Sequence, residues 1–451
     1  MRGLQTPVRA IRRQVFTEVA KLGFKANAET LVADMEAIPY EIVGEDSEVK
    51  YRESIYRARA VVRERLRLAM GLSLRPENKP VHLTAGVEAS NISEKYYEPP
   101  LMQVIPSGCE SCEENKYEVS NVCKGCLAHP CQEVCPRGAI SMVNGKSFID
   151  QDKCIKCGKC KSACPYDAIA KKERPCKKAC GVNAITSDKL GRAYIDADKC
   201  VSCGMCMVSC PFGAISDKSQ IFQLARALSE GEEIVAEVAP AFVGQFGPNI
   251  NVRNFKAALE ELGFSETYEV ALGADIGAIA EAHHYVNKVT TGELPFLLTS
   301  CCPSWAMLAK KFFPDLIDQI SQELTPMVAT ARAARIASPN AKIVFVGPCV
   351  AKKLEASRRT VRSEVDFVIT FEELAGMFDA KEIDFNTYDK EEELNDAFGA
   401  GRGYAVASGV AGAIKACIDE YYPGTEVKID HVEGLAECKK MLLQAKAGKK
   451  N

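Results

Sequence analysis

The chemistry that this 451-residue sequence could perform is concentrated in its cysteines. Cys154, Cys157, Cys160 and Cys164 form one run of the type C-x2-C-x2-C-x3-C-P, and Cys200, Cys203, Cys206 and Cys210 form a second. In such a run three closely spaced thiolates grip one four-iron cube, and the fourth, before Pro, reaches a neighbouring cube. The hexapeptides CPRGAI at 135, CPYDAI at 164, CGVNAI at 180 and CPFGAI at 210 repeat the closing element. A zinc ribbon would instead use paired C-x2-C units without the trailing Cys-Pro. The spacing points to 4Fe-4S centres, which exchange one electron each.

This is the ligand pattern of bacterial ferredoxins, and its crossed rule assigns the thiols. Cys123, Cys126 and Cys131 with Cys164 would hold one cluster, and Cys154, Cys157 and Cys160 with Cys135 the next. Cys200, Cys203 and Cys206 with Cys180 would hold a third. Cys176 and Cys210 are then left with half a site. Cys109 and Cys112, in SGCESC, would complete a fourth cluster if the chain folds back; the alternatives are a zinc site or a vacant pair.

The rest of the sequence must position these thiols. It carries 47% hydrophobic residues and a formal net charge of −3, with nothing that calls for nucleic acid or a membrane. The start, MRGLQTPVRAIRRQVF, lacks the apolar stretch of a signal peptide, so a cytoplasmic chain is expected. In that reducing compartment 21 cysteines argue for metal rather than disulfides. Their distribution, with sixteen between Cys109 and Cys210, divides the chain into residues 1–105, 106–220 and 221–451.

The first part reads as helical, since Val8, Ile11, Val15, Val19 and Leu22 recur at spacings of three and four. Arg57, Arg59, Arg63, Arg65 and Arg67 would form either a solvated helix face or a docking face for an acidic redox partner. The middle part reads as tandem two-cluster modules, ferredoxin-like. In the last part, EIVAEVAP, PFLLTS, AKIVFVGP, VDFVIT and GYAVAS alternate with helix-like stretches, which predicts an α/β fold with parallel or mixed sheets. The whole is thus α+β and α/β. Ligands of such sheets gather beyond the carboxyl ends of the strands, which is where Cys301, Cys302 and Cys349 fall.

TSCCPSW (299–305) and GPCVAKKLE (347–355) resemble the first two signature motifs of the FeFe-hydrogenase catalytic domain, and a multi-cluster extension is typical of that family. The likeness covers roughly residues 105–451 and is nearest the divergent clostridial-type branch. It implies a 4Fe-4S cube joined through cysteine to a diiron unit bearing CO, cyanide and a dithiolate. Protons and dihydrogen are interconverted there, electrons pass to or from ferredoxin, and maturation proteins install the diiron unit. By this resemblance Cys302 and Cys349 ligate the cube, while Lys352, with Pro240 and Glu355, lies about the cofactor. Cys301 matches the proton-relaying cysteine, followed outward by Glu281, Ser321 and His284, the last standing where relatives often have a second glutamate.

Some positions depart from the family pattern. Gly347 stands for a common methionine, LTPM (324–327) for a Lys-Ser-Pro-Gln run, and Ala241 for a frequent serine. The third cysteine motif does not occur before Asn451, and Cys417 and Cys438 read as structural thiols in helices. The expectation is a fragment of a hydrogenase. The alternatives are a polyferredoxin-like electron carrier and a hydrogen-sensing, non-turnover homologue.

Overall fold

The computed structural model describes residues 5–25, 27, 29–45, 52–247, 250–358, 360–385 and 397–448. The first four residues and the terminal 449–451 therefore lie outside it. No helix among the described residues is long and apolar enough to cross a membrane.

The last part of the chain is built on four parallel strands, β1 (Ile234–Val238), β2 (Glu266–Glu269), β3 (Lys342–Gly347) and β4 (Phe367–Thr370), in the order β2-β1-β3-β4. Every residue of β1 is buried, as a parallel strand covered by helices requires. The chain runs from β1 outward to β2 and then crosses back to β3 on the other side of β1. The strand order therefore reverses between β1 and β3, and a crevice opens beyond their carboxyl ends.

Two of the expected strands are different. PFLLTS contributes one isolated bridge, Leu298 to Ile320, because Pro295 lacks an N–H and the chain turns into the helix Pro303–Phe312. GYAVAS forms the 3-10 turn Gly403–Ala405 and then a left-handed Ser408 at the start of the helix Gly409–Tyr421. β2, the polar run ETYE, carries too little apolar signal to stand out in the sequence.

The N-terminal segment forms the helices Pro7–Lys25, Leu31–Ile42 and Ile55–Ala69. The first buries Ile11, Val15, Val19 and Leu22 in a core continuous with the sheet domain. At Gly23 a Cβ would lie 2.6 Å from the Phe222 carbonyl, so this helix can approach the helix Ile221–Ser229 only with glycine there.

The arginines of the third helix form neither a docking face nor a solvated one. Arg65 is buried and donates to the Gly213 carbonyl, while Arg67 donates to the carbonyls of Ser73, Leu83 and Ala85. Arg57 and Arg59 donate to the Ser107 and Val43 carbonyls at 2.8 and 2.9 Å. Arg63 donates to the Tyr40 hydroxyl at 2.8 Å. Carbonyls left over by turns are the acceptors these guanidinium groups satisfy.

The iron-sulfur region refines the tandem expectation, because one module is nested within the other. Lys116–Val119 pairs with Ile169–Lys172 and encloses the hairpin Ile140–Val143/Lys146–Ile149. Outside this unit, Met102–Val104 pairs with Ile215–Asp217, and the inner hairpin of that second module is Ile185–Ser187/Ala193–Ile195. The second module's first strand thus precedes the whole of the inserted one, and the C-x2-C pair that follows this strand is Cys109–Cys112.

Candidate functional site

Each repeated C-x3-A-I element has a local purpose. The backbone N–H of the alanine points back at the cysteine sulfur four residues earlier: Ala139 to Cys135 at 3.3 Å, Ala168 to Cys164 at 3.4 Å, Ala184 to Cys180 at 3.2 Å and Ala214 to Cys210 at 3.4 Å. An N–H aimed at sulfur favours the thiolate and tunes any cluster bound to it.

Cys123, Cys126, Cys131 and Cys164 line one small pocket. Gly125 is needed there: its φ is +59°, and a Cβ would meet the Gly145 carbonyl at 2.0 Å. Backbone N–H groups at Ser147 and Gly125 pull the Cys123 thiol down. Cys160 is raised by burial and by the neighbouring Cys154 and Cys135, while Cys157 is exposed on the outer surface.

In the enclosing module, burial pushes Cys203 up to about 11, with Cys180, Cys200 and Cys302 adding to it. Cys206, raised further by burial, feels the same Cys200, Cys203 and Cys180. The remaining thiols also meet: burial and the charges of Cys210 and Cys109 push Cys176 up to about 12, and Cys112 feels Cys109 and Cys210. Thiols buried in this way keep their protons until a metal displaces them. Among the described residues no three His, Cys, Asp or Glu converge as ligands of a single ion. The four thiol groups with sulfur-directed N–H donors fit polynuclear clusters.

The crevice beyond β1 and β3 collects the remaining candidates. A cavity of about 340 Å³ is lined by Cys301, Cys302, Glu281, Thr299, Ser321 and Glu355, among others. Cys349 follows β3, is pushed up to about 11 chiefly by burial, and feels Cys302. Lys352 is buried on the helix Ala351–Ala356 and pairs with Glu355 at 2.7 Å, while Thr325 donates to the other Glu355 oxygen at 3.0 Å. Burial alone would lower the Lys352 ammonium, but Glu355, Cys301 and Cys349 together raise it. Burial raises the Cys301 thiol against the pull of Lys352, which keeps it protonated.

The outer candidates lie in the same region. Glu281 is raised by burial, although Ser321 and Thr299 hydrogen-bond to it, the latter at 2.5 Å, and His284 is near enough for its charge to be felt. Pro240 opens the 3-10 turn Pro240–Phe242 directly after β1 and is not part of the cavity lining. Cys417 is packed among Ala278, Ala282, Ile414 and Ile418, as a structural thiol. Cys438, on the helix Leu435–Lys446, packs against the same apolar cluster as Cys302, whose charge it feels.

Sequence reasoning missed Tyr404, which lines the crevice and whose hydroxyl is raised by burial and by the charges of Glu281 and Cys301. It also missed Glu237 of β1. Both sit in apolar runs that carry no motif.

Residues 232–451 match the family described as iron only hydrogenase large subunit, C-terminal domain. The chain is FeFe-hydrogenase-like. Within this FeFe-hydrogenase-like protein, residues 153–214 match a 4Fe-4S dicluster domain and 123–174 the LdpA Fe-S cluster-binding domain. It is 30% identical over 221 residues to the NADP-reducing hydrogenase subunit HndD of Solidesulfovibrio fructosivorans, covering 43% of this chain and 37% of that one. Iron hydrogenase 1 of Clostridium pasteurianum is 28% identical over 262 residues, covering 52% and 45%. The cytosolic Fe-S cluster assembly factor NAR1 of Kluyveromyces lactis is 37% identical over 102 residues, covering 23% and 22%. The chain spans less than half the length of each of these relatives.

Proposed function

We propose that this chain is the electron-conducting and proton-handling part of a hydrogenase that interconverts dihydrogen with protons and electrons. The observation that carries the reading is that Cys203, from the enclosing iron-sulfur module, and Cys302, which lines the crevice, pack against the same buried cluster around Trp305 and Leu308. When bound, 4Fe-4S clusters and a diiron unit would supply one-electron transfer and the site of hydrogen chemistry. Cys302 and Cys349 would hold the inner cube, and Lys352 would offer a cation to an anionic ligand there. Cys301, protonated in the crevice, would hand on protons received from His284, Ser321 and Glu281.

Electrons would enter at the outer module, from a ferredoxin or a similar carrier. Lys156, Lys159 and Lys161 are exposed around Cys157, with Ile155 and Leu127 exposed beside the cysteine loops. An acidic carrier would be drawn to such a surface. The test is dihydrogen evolution by the native polypeptide after maturation, driven by a reduced viologen. Evolution that stops in C301S while iron content holds supports the reading. Reversible 4Fe-4S signals without turnover would make the chain an electron carrier or a hydrogen-sensing homologue instead.

A further inference from the structure

Two buried guanidinium groups each join a pair of segments that carry Cys109, Cys112, Cys176 and Cys210. Arg52 lies just ahead of the helix Ile55–Ala69, and its side chain is 4% exposed. Its Nη2 donates to the Gly108 carbonyl at 3.0 Å and to the Phe212 carbonyl at 2.5 Å, which ties the loop of Cys109 to that of Cys210. Arg174, 3% exposed, stands two residues ahead of Cys176 and donates to the Cys112 carbonyl at 2.9 and 3.1 Å. The Ala193 N–H points at Cys109 Sγ at 3.4 Å, as the Ala214 N–H points at Cys210 Sγ, and Cys109, Cys176 and Ala193 pack in one apolar cluster. These thiols therefore suit a polynuclear cluster as the other three sets do.

The charge around this set is unbalanced. Glu110 faces Arg52 at 3.0 Å but is shared with Arg57 at 2.6 Å, and Glu114 faces Arg174 at 3.1 Å but is shared with Lys177 at 2.5 Å. On either side one carboxylate serves two cations; Glu53, the other partner of Arg57, is largely exposed. Arg65, also buried, adds a guanidinium at the Gly213 carbonyl, next to the Phe212 carbonyl that Arg52 holds. The cations beside the other sets are exposed: Lys146 at the Asn121 carbonyl, Lys311 at the Cys200 carbonyl, and Lys156, Lys159 and Lys161 around Cys157. Water and salt screen exposed charges far more than buried ones. Net charge and hydrogen bonding set the potential of an iron-sulfur cluster, and buried positive charge favours its reduced, more negative form.

We propose that Arg52 is a positioning residue for the fourth iron-sulfur site, and that with Arg174 it gives the cluster held there the most positive reduction potential of the four. The N-terminal helical segment then belongs to the electron route, through a residue that carries no cluster ligand. A site of this kind is reduced first and keeps one electron while the next arrives. The proposal rests on the reading of sixteen cysteines as four clusters, and its test does not depend on hydrogen turnover.

A redox titration of the full chain followed by electron paramagnetic resonance, with iron counted on the same samples, decides it. The signal that disappears in C109S/C112S marks the fourth cluster. In the wild type that signal is expected to develop first on reduction. In R52Q it is expected to need a lower potential and in E110Q, which removes the shared carboxylate, a higher one, while the other three signals keep theirs. A marked signal that is not the first to develop overturns the proposal. So does one that stays in place in both variants, or one that moves together with all the others. If R52Q instead loses the cluster, with about four iron atoms, the positioning role is upheld, and the wild-type order and the E110Q shift still decide the potential. An iron count that does not fall in C109S/C112S overturns the four-cluster reading itself, which is a separate failure from unmoved potentials.

Discussion

Lys353 Nζ meets Asp217 Oδ2 at 2.7 Å, joining the last strand of the enclosing iron-sulfur module to the helix that carries Lys352. Glu373 takes a second bond from the same ammonium, also at 2.7 Å, and all three side chains are buried. Burial would lower the Lys353 ammonium, but the two carboxylates outweigh it and raise it. Cys203, Cys206 and Cys210 precede Asp217 by few residues, so this triad fixes where their clusters stand relative to the crevice.

K353M removes the cation and leaves two buried carboxylates uncompensated. Breaking a buried pair in this way costs about 3–5 kcal/mol. Urea unfolding should show that loss, whereas K21M, at an exposed helix pair, should change stability by less than about 0.5 kcal/mol. Equal effects of the two would remove the triad from its structural role.

Lys218, the next residue, ties down the N-terminal segment by donating to the Ser73 hydroxyl at 2.8 Å and to the Glu98 carbonyl. Burial brings its ammonium down to about 8. Below that pH the group is charged in both folded and unfolded chains, and its burial cost is felt in full. As pH rises from about 8 towards about 10.4 the folded chain sheds the proton first, so this group adds stability, at most about 3 kcal/mol. Denaturation midpoints measured across that window should rise in the wild type relative to K218M; parallel curves would refute the assignment.

The sixteen-cysteine stretch was legible because ligand spacing is dictated by the cluster rather than by the fold. The nesting of the modules was not: an insertion leaves each C-x2-C pair intact and only changes which strand precedes it. The crevice was legible at Cys349 and Lys352, whose motif follows the end of β3, and at Cys302 from its motif alone. Glu237 and Tyr404 were hidden because what matters about them is burial among distant segments. The arginines from Arg57 to Arg67 misled because their acceptors, such as the Ser107 and Gly213 carbonyls and the Tyr40 hydroxyl, lie outside their own helix.

Nesting makes a prediction about the fourth cluster. C109S with C112S should lower the iron content by about four atoms per chain, with the other 4Fe-4S signals retained. An unchanged iron count would leave these cysteines as a vacant pair, and loss of zinc in their place would make the site a single-ion one. Electron paramagnetic resonance of the reduced protein, with metal analysis, distinguishes the three.

Cys301 and Cys302 should separate under the same assay. C302S is expected to lose iron from the crevice, while C301S keeps it. The raised Cys301 thiol should also resist alkylation at neutral pH and react faster as pH climbs above the ordinary thiol range, since the thiolate is the nucleophile. Peptide mapping of the alkylated residue gives the rate directly, and fast modification near neutrality would show a thiolate in place of the thiol.

Glu281 sets the pH dependence expected of the proton route. Its carboxyl is raised by burial despite the bonds from Ser321 and Thr299, so it remains a proton donor above the ordinary carboxylate range. A rate that needs this donor should fall as pH rises through the shifted value. E281Q cannot give up a proton in this way, and should lower turnover of the matured protein by about 10²–10⁴-fold, the usual worth of a positioned acid-base group. Tyr404, which lines the same cavity as Glu281 and Cys301, should matter less than Glu281 but more than a neutral lining residue, so Y404F is expected to give a partial loss with unchanged iron content. If E281Q leaves the rate and its pH profile untouched, protons reach Cys301 by another path, and the wide crevice beside Ser321 becomes the place to look for it.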